Sequence, residues 1–346
     1  MLRRSLFATL LLLAPSAAPL ASQGSKVWEN YDFVPGNKVI FFTDFSDDKV
    51  GNFAQRLRYS NGSLEVVELD GIKVLRATAR SQFLIPVPPK LPQRFTLEID
   101  VIAPASGRAE MVAFEGGPTW DRGDQSASVT WTPTGAWILG SGQNGGNSVV
   151  KIPEAMQPTL TGQVAHLRVL MDGPYFKMYV NDRRIYNIPE LQFKRDPVIR
   201  VFLDGAEGEG AVYLTSIRVA ESQTDVLYDA LSSKGRWATQ GIQFATGKAD
   251  LRPESRPVLK EIAAALTQHA DLKILIEGHT DNVGTAASNL TLSGARAAAV
   301  KAALVADFAV AGDRITTKGL GDTKPAVANA SAEGRAQNRR VEIVKQ

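Results

Sequence analysis

The chain has 346 residues, a length typical of two domains. Its composition, with 44% hydrophobic and 22% charged residues, is that of a folded globular protein. The formal net charge of +3 is spread along the chain without a block of like charges, which argues against a nucleic-acid-binding arm. With no cysteine, disulfides, thiolate metal sites, a cysteine nucleophile and a lipid-modified N-terminal cysteine are excluded. The three histidines lie far apart in sequence, so we expect neither a metal site nor another cofactor.

Residues 1–22 are predicted to be a secretory signal peptide. Arg3 and Arg4 provide positive charge, an apolar stretch covers residues 6–14, and small residues follow it. A membrane-spanning helix needs about 20 apolar residues, roughly twice the length of this stretch. An uncleaved membrane anchor is the alternative. We therefore predict that the protein is exported.

Residues 27–220 are predicted to form an all-β antiparallel sandwich, with a jelly roll as the expected topology. This half alternates apolar and polar residues with period 2, is rich in β-branched and aromatic side chains, and has turn signals about every ten residues. The clearest predicted strands cover residues 39–43, 64–69, 95–102, 166–172, 175–180, 198–203 and 212–219.

The strand at 95–102 has two distinct faces. One face carries the apolar residues Phe95, Leu97, Ile99 and Val101, and the other carries Thr96, Glu98 and Asp100. We expect the first face in the core and the second in solvent.

The order of these elements, from Phe42-Thr-Asp-Phe-Ser through the 95–102 strand to the hairpin around Gly173-Pro174, resembles the concanavalin A-like lectin/glucanase sandwich, including laminin-G-like modules. That resemblance implies a glycan or protein ligand on a concave face of the sandwich.

An enzymatic alternative is a glycan hydrolase. Glu98-Ile-Asp100 is similar to the start of the E-x-D-x-E strand motif of sandwich glucanases, but Ile102 stands at the third carboxylate position, which leaves the acid–nucleophile pair incomplete. Trp120, Trp131 and Trp137 are candidates either for a sugar-stacking platform or for ordinary packing.

A second alternative is an eight-stranded outer-membrane barrel tied to the cell wall. Eight tilted strands of about ten residues would fit in this length. Arg200 shares a predicted face with Val198 and Phe202, which argues against a uniformly apolar lipid-facing row.

A linker is predicted at residues 221–236, with a short amphipathic turn at 226–231, followed by an α+β two-layer sandwich with a mixed sheet at 237–346. The predicted order is strand, helix, strand, helix, strand, strand. The strands begin at residues 241, 272, 314 and 341, and the helices at 253 and 289.

A buried strand in this second half ends in a polar turn that carries Asp281, and the following helix carries Arg296. An acid and a base so placed predict a pocket for a ligand with both a positive and a negative group. A structural salt bridge is the alternative.

Several motifs coincide in this half: Phe244-Ala-Thr-Gly247 with Leu251, Gly278-His-Thr-Asp281 with Gly284, Asn289-x-x-Leu-Ser-x-x-Arg-Ala297, Gly319-Leu-Gly321 with Pro325, and Asn338-Arg-Arg-Val341. In order and spacing they resemble the OmpA-like peptidoglycan-binding domain, over about 105 residues.

The resemblance implies that the ligand is the diaminopimelate side chain of a peptidoglycan stem peptide. Asp281 would accept from its ammonium, Arg296 would pair with its carboxylate through two hydrogen bonds, and Asn289 would hold the geometry. Asn289 also lies where we expect the helix to begin, so its alternative role is an N-cap.

Two further positions complete the predicted site. One of Arg339 and Arg340 adds positive charge; we place them on opposite faces of a strand and prefer Arg339, on the face of Val341. Thr246 is predicted at the rim. His279 has no partner at a spacing typical of acid–base catalysis, and the family is non-catalytic, so no catalytic residue is predicted.

The sequence thus predicts a non-catalytic envelope protein, exported to the periplasm and bound to the cell wall. Its expected partner is peptidoglycan, with outer-membrane association as a further possibility.

Overall fold

The computed structural model describes residues 31–346 except 88, 106–107, 114–126, 140–147, 153, 192–194, 196, 206–209 and 223–226. The predicted signal peptide at 1–22 and Trp120 lie outside the described residues.

The first part of the chain, here called the β-rich region (residues 31–222), consists mostly of strands. The described strands are β1 (Lys38–Thr43), β2 (Arg58–Asn61), β3 (Leu64–Leu69), β4 (Ile72–Ala77), β5 (Ser81–Pro86), β6 (Arg94–Ile102), β7 (Arg108–Ala113), β8 (Ala127–Thr132), β9 (Gly135–Leu139), β10 (Ser148–Lys151), β11 (Val164–Asp172), β12 (Tyr175–Val180), β13 (Arg183–Ile188), β14 (Val198–Asp204) and β15 (Val212–Glu221). A short helix α1 (Gln157–Leu160) precedes β11.

The strands pair into two antiparallel sheets. One has the order β13-β12-β11-β6-β15-β4-β3, with β1 also paired to β15, and the other has the order β10-β9-β8-β7-β14-β5-β2. Buried side chains from both sheets form one hydrophobic core, which includes Phe83, Phe95, Ile99, Trp131 and Val201. Two sheets around one core confirm the all-β antiparallel prediction. The eight-stranded alternative is wrong in strand number and pairing, because the strands divide into two separate sheets. The jelly-roll topology and the lectin-like resemblance stay predictions.

Several predicted strands are confirmed. Leu64–Leu69 has the predicted bounds, and β11 and β12 pair as a hairpin across Gly173, whose φ is +58°. Trp131 is fully buried in the core and is therefore unavailable for sugar stacking, while Trp137 is half-buried.

The polar face of β6 differs from the prediction. Thr96 is 0% exposed and Glu98 is 7% exposed, so this face is buried rather than solvated. The C-terminal part of the chain covers it: Gln243 donates to Glu98 at 3.4 Å, and the guanidinium of Arg252 contacts Nε2 of His166 on the neighbouring strand. The alternating pattern identified the two faces but not what packs on the second.

The C-terminal part, here called the α/β region (residues 227–346), has a four-stranded mixed sheet and helices. Its elements are α2 (Leu227–Lys234), β16 (Arg236–Thr239), α3 (Arg256–Gln268), β17 (Ile274–His279), α4 (Ala286–Phe308), β18 (Ile315–Gly321), α5 (Ala332–Asn338) and β19 (Val341–Lys345). The sheet order is β16-β19-β17-β18, with β17 and β18 parallel and the other pairs antiparallel.

The apolar sides of the helices pack on this sheet. Val258, Ile262 and Leu266 of α3 lie with Ala297 and Val300 of α4 in one buried cluster. The predicted α+β architecture is present, and the turn predicted after residue 226 is the helix α2, which packs into the same cluster. Among the described residues, no helix combines the length and the apolar composition needed to cross a membrane.

Two predictions for this region are wrong. The first strand is β16, whereas the segment predicted as a strand at 241–245 contributes an isolated bridge between Phe244 and Leu251. Helix α5 was not predicted, because its seven residues offer little apolar periodicity.

Helix α5 packs against the edge strand β1 of the β-rich region. The side chain of Gln337 accepts from the Val39 N–H at 2.8 Å and donates to the Asn37 carbonyl at 2.6 Å. Glu333 accepts from the Phe42 N–H at 3.1 Å. Side chains of α5 therefore satisfy backbone groups that an exposed strand edge would leave unpaired.

Candidate functional site

Close backbone packing brings the site elements together. A Cβ atom at Gly278 on β17 would lie 2.2 Å from the Ser293 carbonyl oxygen on α4, and one at Gly319 on β18 would lie 2.4 Å from the Gly294 nitrogen. Only glycine permits this approach of helix to sheet. The end of β17, at Gly278 and His279, and Arg296 on α4 consequently border the same cavity.

Asp281 lies two residues after the end of β17 and is 7% exposed. Its Oδ1 accepts from the Val283 N–H at 3.1 Å, and its Oδ2 accepts from Nη1 of Arg339 at 2.6 Å. A carboxylate offers about four acceptor positions, so capacity remains for an incoming cationic group.

Asn289 is not the N-cap of its helix. Helix α4 begins one turn earlier, and Thr285 caps it by accepting from the Ser288 N–H at 3.2 Å. Asn289 is instead buried in the first turn and donates through Nδ2 to the Asp281 carbonyl at 3.2 Å. This hydrogen bond links the turn that carries Asp281 to helix α4.

Arg296 lies two turns further along α4 and is half-buried. Its Nε donates to the Lys248 carbonyl at 3.0 Å, and its guanidinium lies 5.0 Å from the centre of the Phe244 ring. Burial and the nearby Arg339 lower the pKa of Arg296, and Asp281 opposes this shift. Asp281, Arg296 and Arg339 therefore act on one another in a single electrostatic environment.

Thr246 is exposed and lines the same cavity. It belongs to a tight turn closed by the hydrogen bond from the Ala245 N–H to the Asp250 carbonyl at 2.9 Å. The turn needs Gly247, whose φ is +68°, and presents the Lys248 carbonyl to Arg296.

The two adjacent arginines have different surroundings. Arg339 is half-buried at the C-cap of α5 and donates to Asp281. Arg340 is 7% exposed and donates to Glu342 at 2.7 and 2.5 Å and to two backbone carbonyls. The prediction that the two arginines lie on opposite faces of a strand is wrong, because both residues precede β19, which begins at Val341.

Phe42 was missed by sequence reasoning. It lies on β1 of the β-rich region, and the Arg339 guanidinium is 4.9 Å from its ring centre. The contact joins residues at opposite ends of the chain, and nothing in the sequence around Phe42 indicates it.

One group of possible metal ligands occurs among the described residues: Glu277, His279 and Glu342, whose ligand atoms lie within 4.8 Å of one another. Arg340 is bonded to Glu342, and Arg236 approaches both carboxylates, at 2.9 Å from Glu342 and 4.0 Å from Glu277. The two guanidinium groups already balance the two negative charges, so we interpret the group as a buried ion cluster.

Glu98 and Asp100, the two carboxylates that resemble the start of the glucanase motif, are engaged in ion pairs. Glu98 pairs with Arg218 and Arg168, while Asp100 accepts from Arg168 at 2.7 Å and from His166 at 2.8 Å. Burial acts to raise the pKa of Asp100, but Arg168 and His166 outweigh it and hold that pKa far below its usual range. A carboxylate held ionised in this way is unsuited to act as a general acid.

The site as a whole combines Asp281 with two arginines, Arg296 and Arg339, which line a cavity that is open to a ligand. Oppositely charged groups at this spacing can bind the ammonium and the carboxylate of one amino-acid centre. The second arginine leaves a net positive charge in the absence of ligand.

Residues 243–339 match the family model described as the OmpA family, and this part of the chain is an OmpA family domain. The chain is 42% identical over 101 residues to outer membrane porin F of Pseudomonas aeruginosa, covering 29% of each chain. It is 46% identical over 103 residues to the peptidoglycan-binding protein ArfA of Mycobacterium bovis, covering 30% of this chain and 31% of that protein. It is also 46% identical over 101 residues to outer membrane protein A of Bordetella avium, covering 29% of this chain and 51% of the relative.

Solved structures give similar matches. The peptidoglycan-associated lipoprotein from Burkholderia pseudomallei is 31% identical, with 35% of this chain and 100% of that chain covered and a TM-score of 0.30. The cell wall anchor of the T6SS from Pseudomonas aeruginosa is 37% identical, with 35% and 95% covered and a TM-score of 0.29. The chain spans between 29% and 51% of the curated relatives above.

Proposed function

We propose that this protein is a non-catalytic cell-envelope protein that binds peptidoglycan non-covalently through the diaminopimelate of stem peptides. The observation that carries the proposal is the placement of Asp281 beside Arg339, with Arg296 in the same cavity. In this function Asp281 accepts from the ammonium of the ligand, and the arginines donate to its carboxylate. Asn289 fixes the Asp281 turn, and Thr246 borders the entrance. Arg340 supports the fold through Glu342.

The relatives support the class of ligand. ArfA is named as a peptidoglycan-binding protein, and one structural neighbour is a peptidoglycan-associated lipoprotein. Other relatives are named as outer membrane proteins, which supports a periplasmic, wall-bound location with outer-membrane association. In this function the β-rich region is presented at the wall, where it has a glycan or protein ligand of its own.

Co-sedimentation with isolated sacculi tests the proposal. The chain lacking residues 1–22 should pellet with sacculi, and the Asp281→Ala, Arg296→Ala double variant should remain in the supernatant. A matched control is Arg94→Ala with Asp172→Ala, which removes one base and one acid from a partly exposed pair, neither of which lines the cavity. Equal pelleting of the site variant and the control would reject the assignment.

The glycan hydrolase alternative is disfavoured by the ion pairs of Glu98 and Asp100 described above. Both residues do border the cavity, so the alternative is tested directly. Sacculi incubated with the protein should release no soluble fragments, and release that Asp100→Asn abolishes would restore the enzymatic interpretation.

A further inference from the structure

The candidate site opens into a cavity of about 710 Å³ that lies between the two regions. Arg296, Arg339 and Thr246 line it from the α/β region, and Phe42, Asp44 and Lys73 line it from the β-rich region. A volume of this size exceeds the space that one amino-acid side chain fills. The β-rich region therefore faces any ligand held by Arg296 and Arg339.

Phe42 contacts a residue of the site directly. The guanidinium of Arg339 lies over its ring and donates to Asp281 from that position. A cation over an aromatic face is attracted by the ring, and the ring limits the orientations that the guanidinium can adopt. Phe42 thus restrains the arginine that pairs with Asp281.

The helix that carries Arg339 at its C-terminal end is also held by the β-rich region. Glu333 and Gln337 bind backbone groups of the β1 segment, and Arg335 pairs with Asp47. These contacts lie at both ends of α5, so the position of Arg339 depends on the β-rich region as well as on its own sheet.

We propose that the β-rich region forms the second wall of the ligand site, with Phe42 as a positioning residue for Arg339. This inference rests on the proposed function and extends it, because a residue outside the OmpA family domain then sets the orientation of an arginine that binds the ligand. The OmpA family domain then works as a binding unit together with the β-rich region.

Calorimetric titration of the full chain without residues 1–22 tests the role of Phe42, with meso-diaminopimelate as the probe. Phe42→Leu keeps an apolar side chain but removes the ring, and should weaken binding about 2- to 5-fold. Phe42→Tyr restores the ring and should restore affinity. Thermal unfolding of each variant shows whether the fold is retained. Unchanged affinity in folded Phe42→Leu, or no rescue by Phe42→Tyr, would overturn the positioning role.

The two proposals fail differently. If neither meso-diaminopimelate nor sacculi bind the parent protein, the proposed function and this inference fall together. If meso-diaminopimelate binds, Asp281→Asn weakens that binding and the Phe42 variants behave like the parent, only the inference is lost.

Discussion

Arg340 donates two hydrogen bonds to Glu342, at 2.7 and 2.5 Å, in a position where both side chains are almost fully buried. Its neighbour Arg339 lies half-exposed in the cavity and pairs with Asp281. Adjacent residues of one type therefore have separable roles, one in the fold and one at the site.

Replacing Arg340 with alanine should destabilise the protein by about 1.5–3 kcal/mol, because the buried Glu342 would keep Arg236 as a partner but lose two hydrogen bonds from Arg340. Replacing Arg339 with alanine should cost less stability, because its pair with Asp281 is partly exposed, and should weaken binding of meso-diaminopimelate. Urea unfolding and calorimetry on the two variants check this contrast. A stable Arg340→Ala protein with impaired binding would reverse the two assignments.

Asp281→Asn keeps the shape of the side chain and removes its charge. Since a hydrogen bond to a charged group contributes about 1.5–3 kcal/mol, affinity for meso-diaminopimelate should fall about 10- to 100-fold. Asp313→Asn, an equivalent change at an exposed residue, is the control. Parent-like affinity of the Asp281 variant would exclude this carboxylate from the ammonium contact.

Arg296→Lys tests the two-pronged contact rather than the charge. A lysine retains the positive charge but not the planar pair of donors, so affinity should fall about tenfold, as for the loss of one charge-assisted hydrogen bond. Arg80→Lys, at an exposed position, serves as the control. If the Arg296→Lys protein binds meso-diaminopimelate with the parent's affinity, a positive charge at this position is sufficient for binding.

Burial and the adjacent Arg340 lower the pKa of His279 from 6.5 to about 4, although Glu342 opposes them. Between these two values the unfolded chain binds a proton that the folded protein does not. Stability is therefore complete above pH 6.5 and falls as the pH decreases toward 4, by about 3 kcal/mol. Urea unfolding at pH 7.5 and 4.5 should show this loss in the parent and a smaller one in His279→Asn. A His269→Gln control should retain the parent's loss, and an equal loss in His279→Asn would contradict the assignment to His279.

Gly278→Ala should destabilise the α/β region by about 1–3 kcal/mol, because the new methyl group has no space beneath the Ser293 carbonyl. Gly294→Ala is the matched change on the helix, where the nearest atom would lie 3.9 Å away. There alanine should stabilise α4 by about 0.5–1 kcal/mol. Thermal unfolding distinguishes the two, and similar effects would contradict the close-packing argument.

The sequence was sufficient to predict what local patterns determine. Period-2 alternation identified β6 and the β11–β12 hairpin, and the motif around Asp281 identified an acid that the fold does place beside an arginine. The helix start was misplaced by one turn because Thr285, a good N-cap, was overlooked in favour of Asn289.

Local sequence patterns could not predict contacts between segments that are distant in the chain. The polar face of β6 was expected in solvent because alternation says which residues share a face and not what covers it. Phe42 was missed for the same reason. Helix α5 had a weak signal that could have been used, namely Ser331 as N-cap with Glu333 in the first turn.

The packing of α5 on β1 also has a consequence for dividing the protein into pieces. A fragment that ends before residue 227 would expose the N–H groups of Val39 and Phe42, which Gln337 and Glu333 otherwise satisfy. An uncovered strand edge of this kind recruits strands from other molecules. The isolated β-rich region is therefore expected to aggregate where the full chain does not.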